Sequence, residues 1–454
     1  MRRTSRPRAL MGVAFFPRGG SAHVIRGLAG ALPAHGWDVT VVSGSQPGLG
    51  DAGPFYAPLD VHAVELGVHQ ASYEDRPDAP DRVFAALDEA AYERQVARWS
   101  AALARAGAAD ADLLHLHHLT PLHEAAARVA PEVPVIGHLH GTELLMLERI
   151  ADGAPPSWRH AERWAERMRR WAAGCERTIV LTERQLPRVE RLLGEEVAER
   201  CVAIPNGVDA ARFAHADVDR RAHWRRHLVE EPRGWRPGAP EGSVAYTEAD
   251  LAAFDDGGPV LLYVGRFTEV KRVGLLIRAF AKAQRRFARR TPLVLVGGHP
   301  GEWEGEHPLE AIAASSARDV FLAGWQDHDR LPRFLAAGDA IVLPSVREQF
   351  GSVLVEGMAC GLPAVAVDAM GPGEIVKPGE SGWLLPPDDE KALVEALVEV
   401  VDNPRERRRR GEFARADVVA RYGRDAAAAQ VASTYEAACS ADATPSGAPA
   451  VAPS

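Results

Sequence analysis

Residues 341–387, IVLPSVREQFGSVLVEGMACGLPAVAVDAMGPGEIVKPGESGWLLPP, decide how the rest of the chain is read. The run 340–345 is apolar and strand-like, and Glu348 and Glu356 follow it, eight positions apart. Between them Phe350-Gly351-Ser352 makes a glycine turn, and Val353-Leu354-Val355 leads into a helix. A second apolar run, 364–367, ends at the cluster Gly371-Pro372-Gly373-Glu374. Strand, loop, helix, strand, loop is the unit of a parallel sheet. Such sheets bind ligands outside the carboxyl ends of their strands, where both carboxylates fall. A helix that begins just after Gly351 would aim its first N–H groups into the same crevice, a setting for phosphate or another anion.

The bulk numbers suit such a site on a large soluble protein. At 454 residues the chain calls for two or three domains. It is 46% apolar and 25% charged, a globular composition. A net charge of -9 argues against nucleic acid as a partner. Four cysteines without a Cys-x-x-Cys pair argue against a disulfide framework or a zinc site, and fit reduced thiols in a cytoplasmic protein. The apolar run 9–16 is broken by Pro17-Arg18-Gly19-Gly20 with no small-residue cleavage pattern, so it reads as a buried first strand, not a signal peptide. No apolar stretch approaches the ~18 residues needed to span a membrane.

From the amino end, strand 10–16 meets the turn Gly19-Gly20-Ser21, then a helix over 22–35 and a strand over 38–43. The glycine pair suits either phosphate contact at a helix N-terminus or close packing. It is not the full Gly-x-Gly-x-x-Gly pattern, so a nicotinamide cofactor is not supported. A strand over 112–118 and another over 134–139 end in histidines. His115, His117, His118, His138 and His140 invite a metal, but no carboxylate spacing of the HExxH kind accompanies them. They read as strand-end histidines lining a crevice, and His140 is the functional candidate because Gly141 beside it permits close approach. Trp164 and Trp171, seven apart on a helix over 158–175, read as a packing stripe.

A Pro- and Gly-rich stretch over 232–259 marks a boundary, after which strand and helix units begin again. The strand 260–265 is followed by Arg266 and Lys271 near the start of a helix over 273–287, a placement that favours anion contact. Asp327-His328-Asp329 has an Asp-x-Asp form, but it precedes the helix 330–336 and reads as helix capping. The basic run PRERRRR, 404–410, reads as a solvated helix face and leaves a weak peripheral membrane contact open. An Ala-rich helix over 423–438 precedes a tail, 440–454, that is disordered by composition.

These residues resemble the retaining nucleotide-sugar glycosyltransferases of family four. The resemblance runs over nearly the whole chain: 17–21 after the first strand, His140-Gly141-Thr142-Glu143, Ile204-Pro205-Asn206-Gly207-Val208-Asp209, and Val264-Gly265-Arg266 with Lys271. It continues through Glu348-x-Phe350-Gly351 with Glu356, Gly361-Leu362-Pro363, Gly373-Glu374-Ile375-Val376 and Gly382-Trp383-Leu384. It implies an α/β fold of GT-B type, two facing Rossmann-like domains with a donor cleft between them. The implied division is an acceptor domain over 1–240 joined by the helix 423–438, a linker over 241–258, and a donor domain over 259–422. The stretch 230–258 is longer than usual for such a family.

The resemblance also implies roles. Arg266 and Lys271 would hold the donor diphosphate, Gly19 and Gly20 would bring N–H groups to it, and Glu356 would accept the ribose hydroxyls. Glu348 would sit beside the sugar ring, with the amides of Phe350, Gly351, Ser352 and Val353 at sugar hydroxyls and phosphate. The backbone at Phe321 would frame the base, and His140 would line the reaction centre. No cofactor or metal is expected. The partners implied are a nucleotide sugar, a UDP-sugar above all, and a hydroxyl acceptor that is a small metabolite, glycan or lipid. The product would belong to carbohydrate biosynthesis, and the oligomeric state is left open. Two carboxylates also suit glycoside hydrolysis, but one is committed to ribose and the arginine, lysine and glycine turns anticipate a diphosphate. Two alternatives stand: a sugar-nucleotide epimerase of the same architecture, and a nucleotide-sugar-binding regulatory protein. An inverting transferase would need a base, for which His23 or His140 would serve.

Overall fold

Strand composition sets the architecture. The second half of the chain carries short runs such as LLYV, LVLV, AIVL and AVAV, apolar at every position and almost wholly buried. Runs of that kind suit strands covered on both faces, as in parallel sheets between helices. The computed structural model describes residues 6–17, 19–46, 48–66, 71–73, 75 and 82–441. Its strands are β1 (Arg8–Val13), β2 (Asp38–Ser45), β3 (Asp60–Glu65), β4 (Ala71–Ser72), β5 (Arg82–Val83), β6 (Leu113–His117), β7 (Val135–His138) and β8 (Arg177–Val180). They continue with β9 (Cys201–Ala203), β10 (Leu261–Val264), β11 (Leu293–Val296), β12 (Val320–Gly324), β13 (Ala340–Leu343), β14 (Ala364–Val367) and β15 (Gly382–Leu385).

The chain forms two compact units, one through Gly207 plus the residues from Arg424 onward, the other Val208–Gly423. In the first, seven strands of the described residues pair in parallel in the order β3-β2-β1-β6-β7-β8-β9. In the second, six pair in parallel in the order β12-β11-β10-β13-β14-β15. Each sheet therefore reverses its winding once, at β1/β6 and at β10/β13. Such switch points are where open α/β sheets leave a crevice for ligands.

Helices cover both sheets with conventional end chemistry. The helix Glu89–Arg105 starts where the Asp88 carboxylate accepts from Ala91 N at 2.7 Å, and it buries Tyr92, Val96, Trp99 and Leu103 at helical spacing. Trp164 and Trp171 are buried and meet edge to face at 5.4 Å, a core contact. The last helix, Arg424–Ala441, buries Ala428, Val431 and Tyr435 in the core of the first unit, with Tyr435 against Trp37 at 4.9 Å. All four cysteines are free. No helix of the described residues is long and apolar enough to cross a membrane. The tail from 442 lies outside the described residues.

Two readings are corrected. The sequence places the domain break at 241–258, whereas the units divide at Gly207/Val208, and 208–258 packs into the second unit. The reason is aromatic anchoring on the loop after β11 and on β12, which is an edge of its sheet. Trp235 is buried and its Nε1–H donates to Gly298 O at 3.0 Å, while Tyr246 Oη accepts from Leu322 N at 2.8 Å. Covering an edge in this way hides unpaired backbone groups. Second, the basic run is not simply a solvated face. In the helix Pro404–Tyr422, Arg407 donates to Val400 O at 2.6 Å, Arg409 to Gly379 O, and Arg410 to Gly382 O at 2.9 Å. Arg410 is buried, with its guanidinium 3.9 Å from the centre of the Trp383 ring.

Candidate active site

In the second unit the switch point lies between β10 and β13, and the loops after those two strands carry the residues singled out in the sequence. Lys271 Nζ forms an ion pair with a Glu348 carboxylate oxygen, each side chain 18% exposed, although the two lie 77 residues apart. Backbone ties hold the loops together: Val346 N donates to Val270 O at 3.0 Å, and Ser345 Oγ to the same carbonyl at 3.2 Å. Behind them Tyr263 Oη donates to Arg266 O at 2.6 Å. Burial pushes the Tyr263 phenol well above its ordinary range and the Glu348 carboxylate adds to the effect. This phenol is a fixed donor that holds the Arg266 backbone, while the Arg266 side chain stays exposed.

The turn beside Lys271 is strained. Arg272 sits at φ 54, in the left-handed region, and caps the helix Val273–Ala283. A non-glycine residue there costs on the order of 1–3 kcal/mol and needs support from its surroundings. The support is Asp388, whose carboxylate accepts from Arg272 Nε at 2.6 Å and Nη2 at 3.1 Å.

The helix Ser352–Ala359 begins just after Gly351, at φ 101. Its first-turn N–H groups therefore open beside Glu348, as the sequence anticipates. A second close approach fixes this turn: Gly371 N donates to Glu348 O at 3.1 Å, and a Cβ on Gly371 would run into the Phe350 carbonyl. Phe350 is buried against Tyr422, with ring centres 5.7 Å apart, so its backbone and not its ring is available to a ligand.

Glu356, one turn along that helix, accepts a hydrogen bond from His328 Nε2 at 2.7 Å, with side chains 13% and 23% exposed. Sequence reasoning missed His328, having assigned 327–329 to helix capping. The helix Leu331–Ala336 is capped by Arg330 and has no side-chain cap. Asp329 instead accepts from Arg212 Nη2 at 2.6 Å, which also binds His328 O at 2.8 Å. Nothing in the spacing of 328 and 356 signals this pairing, because it joins the loop after β12 to the helix after β13.

Phe321 does not join the group. It is the second residue of β12, in register with Val294, and so lies toward the amino end of its strand. Its ring packs on Tyr246 at 4.9 Å and Phe254 at 5.1 Å. The carboxyl end of β12 is instead Gly324, followed by Trp325 and Gln326.

In the first unit, Gly19 caps the helix Gly20–Ala31 without a side-chain bond. A Cβ at Gly19 or Gly20 would meet nothing within 4 Å, so packing does not demand either glycine. His23 lies on that helix with its ring 5.1 Å from Phe55. His140 is part-buried, and Gly141 at φ 94 caps the helix Thr142–Ala151. The histidines pair in the sheet: His115 Nε2 with His138 Nδ1 at 3.1 Å, and His117 Nδ1 with His140 Nε2 at 3.0 Å. Tyr435 Oη lies 2.6 Å from His115 Nδ1. Burial holds His115 down at about 3, and holds His117, His138 and His140 well below the ordinary histidine range. All four are neutral near pH 7. His118 and Glu143 form a further pair that the sequence did not disclose. His118 sits at φ 63, its Nδ1 lies 2.5 Å from Glu143 Oε1, and Glu143 is fully buried. The hint was that Glu143 falls in the first turn after Gly141, in the same four-residue segment as His140.

Among the described residues, His115, His117 and His138 are the group able to hold a metal ion, with one nitrogen of each within 4.8 Å of the others. Within this group His115 Nε2 pairs with His138 Nδ1, whereas His117 pairs with His140, and Nε2 of both His117 and His138 is buried without a hydrogen-bond partner.

The model described as Glycosyltransferase Family 4 matches residues 18–212, and that described as Glycosyl transferases group 1 matches residues 249–417. Alpha-D-kanosaminyltransferase of Streptomyces kanamyceticus is 28% identical over 313 residues, 67% of this chain and 70% of that protein. N-acetyl-alpha-D-glucosaminyl L-malate synthase of Bacillus anthracis is 25% identical over 330 residues, 71% of this chain and 74% of that protein. Among solved structures, sucrose-phosphate synthase of Thermosynechococcus elongatus aligns with a TM-score of 0.68 at 21% identity, covering 96% of this chain and 100% of that one. HepE of Anabaena, in complex with UDP-glucose, aligns with a TM-score of 0.65 at 19% identity, covering 95% and 99%.

Proposed function

Because the chain belongs to the family-four glycosyltransferases, enzymes of the GT-B fold, we propose that it moves a hexosyl or N-acetylhexosaminyl group from a UDP-sugar to a hydroxyl acceptor with retention at the anomeric carbon. The observation that carries the reading is the Lys271–Glu348 ion pair at the β10/β13 switch point, with the N-terminus of the helix Ser352–Ala359 beside it. Lys271 and Arg266 would neutralise the donor diphosphate and the charge that grows on it as the glycosidic bond breaks. Lys271 would then exchange part of its contact with Glu348 for phosphate, which leaves the Glu348 carboxylate to accept from sugar hydroxyls.

Glu356 would accept from the ribose hydroxyls, oriented by His328. With retention, the departing phosphate oxygen and the incoming hydroxyl share one face, so the phosphate itself can take the acceptor proton and no strong protein base is required. The choice of UDP is supported by HepE, whose crystals hold UDP-glucose. In the first unit, His140 and the turn Gly19–Gly20 are the candidate contacts, His140 as a neutral ring that can donate or accept. No metal is invoked.

The test is incubation with radiolabelled UDP-, GDP-, ADP- and dTDP-sugars, with and without a panel of acceptors, followed by anomeric assignment of any product. Transfer or slow hydrolysis of a UDP-sugar is the expected result. Epimerisation of the donor alone, or binding without turnover, would replace the reading, and failure of every nucleotide sugar to bind would end it.

A further inference from the structure

The second unit contains a cavity of about 440 Å³ at the opposite end of its sheet from Lys271 and Glu348. It is walled by the residue that leads into β13, Asp339, by the loop 361–363 that leads into β14, and by the helix Pro404–Tyr422. Strands of four residues separate the two ends, roughly 13 Å at about 3.3 Å per residue. Four guanidinium groups line the cavity, Arg220, Arg407, Arg408 and Arg415, against two carboxylates, Asp339 and Glu412. One carboxylate is already spent: Asp339 takes the fork of Arg220 at 2.7 and 3.0 Å and accepts from Val260 N at 2.8 Å.

Of the remaining arginines, Arg415 donates one Nη to the carbonyls of Ala359 and Phe213, and Arg407 one Nη to those of Val400 and Val401. Neither contact neutralises charge. Arg408 is exposed and makes no hydrogen bond or ion pair among the described residues. Burial lowers Arg407 from the ordinary arginine range, and Arg220 and Arg408 add to that against the pull of Asp339. Positive charge is thus concentrated in a recess of a chain whose net charge is -9.

We propose that this cavity binds a small phosphorylated anion, a phosphate monoester or diphosphate, at a site separate from the candidate donor residues. The volume falls in the range of small-molecule pockets, about 300–1,000 Å³. Planar guanidinium donors match phosphate oxygens in pairs. Bound there, the anion would be held by Arg407, Arg408 and Arg415 of the helix Pro404–Tyr422, with Arg220 kept on Asp339. The same chemistry is offered by a free metabolite and by a lipid headgroup.

The experiment uses sodium pyrophosphate and calorimetry. Pyrophosphate could also address the donor residues, so titrations are made on the Lys271→Ala protein, alone and with Arg408→Glu or Arg405→Glu added. Arg405 is an exposed arginine of the same run that does not line the cavity. Binding in Lys271→Ala, weakened roughly tenfold or more by Arg408→Glu and unchanged by Arg405→Glu, is expected. Absence of binding in Lys271→Ala, or equal binding in all three, would overturn the site, as would equal loss from both arginine changes. Sedimentation with vesicles of phosphatidylglycerol and phosphatidylcholine separates the sources. Arg408-dependent capture by vesicles without pyrophosphate binding would replace the cavity by a lipid-facing patch. None of these outcomes depends on whether the donor reading holds.

Discussion

His328 donates to Glu356 across 2.7 Å, joining the loop after β12 to the helix after β13. A carboxylate that must accept from ribose hydroxyls gains direction from a ring that occupies one of its oxygens. Glu356→Ala is expected to raise the donor KM roughly tenfold or more, from lost charge-assisted bonds of about 1.5–3 kcal/mol. His328→Ala is expected to raise it less, and the double variant to fall short of the product of the two. Donor titrations on the three proteins check this, and strict additivity would show that His328 does not act through Glu356.

Lys271→Ala should abolish transfer while the protein still unfolds cooperatively near the wild-type temperature. The Lys271–Glu348 pair is part-buried and adjoins solvent, so its loss weighs little on stability. Its loss from the diphosphate weighs heavily on the reaction. Turnover measured beside a thermal melt is the check, and near-normal turnover would remove the phosphate assignment.

Gly371→Ala tests the turn from behind. The new methyl would collide with the Phe350 carbonyl and displace the start of the helix Ser352–Ala359. Donor affinity is expected to fall about tenfold or more while the circular dichroism spectrum is retained, since about 1.4 kcal/mol of lost contact accounts for each factor of ten.

Tyr246→Phe removes the acceptor for Leu322 N and leaves that amide buried without a partner. The expected loss is about 1–3 kcal/mol, seen as a lower urea midpoint with unchanged m-value. An unchanged midpoint would mean that 208–258 is not anchored to β12 through this bond.

Acid should destabilise the first unit from an unusually high pH. His115 is held down at about 3, and His117, His138 and His140 well below the ordinary range, all chiefly by burial. Below about pH 6.5 the unfolded chain takes up protons that the folded chain refuses, so stability is complete above that pH and is lost as pH falls toward the folded values. Each such histidine contributes a slope of about 1.4 kcal/mol per pH unit in that window. Urea midpoints between pH 7 and 5 measure the slope, and His115→Phe should reduce it.

Most strands of both sheets were legible because the signals are local; β15 was not, its Gly382-Trp383-Leu384 being read only as part of the family resemblance. Fully apolar four-residue runs such as LVLV and AVAV announce buried parallel strands, and Gly351 announces the helix start that follows it. The Pro- and Gly-rich composition of 232–259 misled the domain division, because composition registers turns but not what Trp235 and Tyr246 pack against.

The sequence by itself determined that Arg266, Lys271, Glu348 and Glu356 lie in the segments that follow strands of an α/β fold, Glu356 on the helix after β13, since hydrophobic period and turn residues are written along the chain. Only the tertiary structure decided which of them touch. Parallel winding brings together residues 77 apart to pair Lys271 with Glu348, and residues 28 apart to pair His328 with Glu356. It also moved Phe321 away from the rest, toward the amino end of β12. Contacts between loops depend on strand order and register, which no local stretch of sequence encodes.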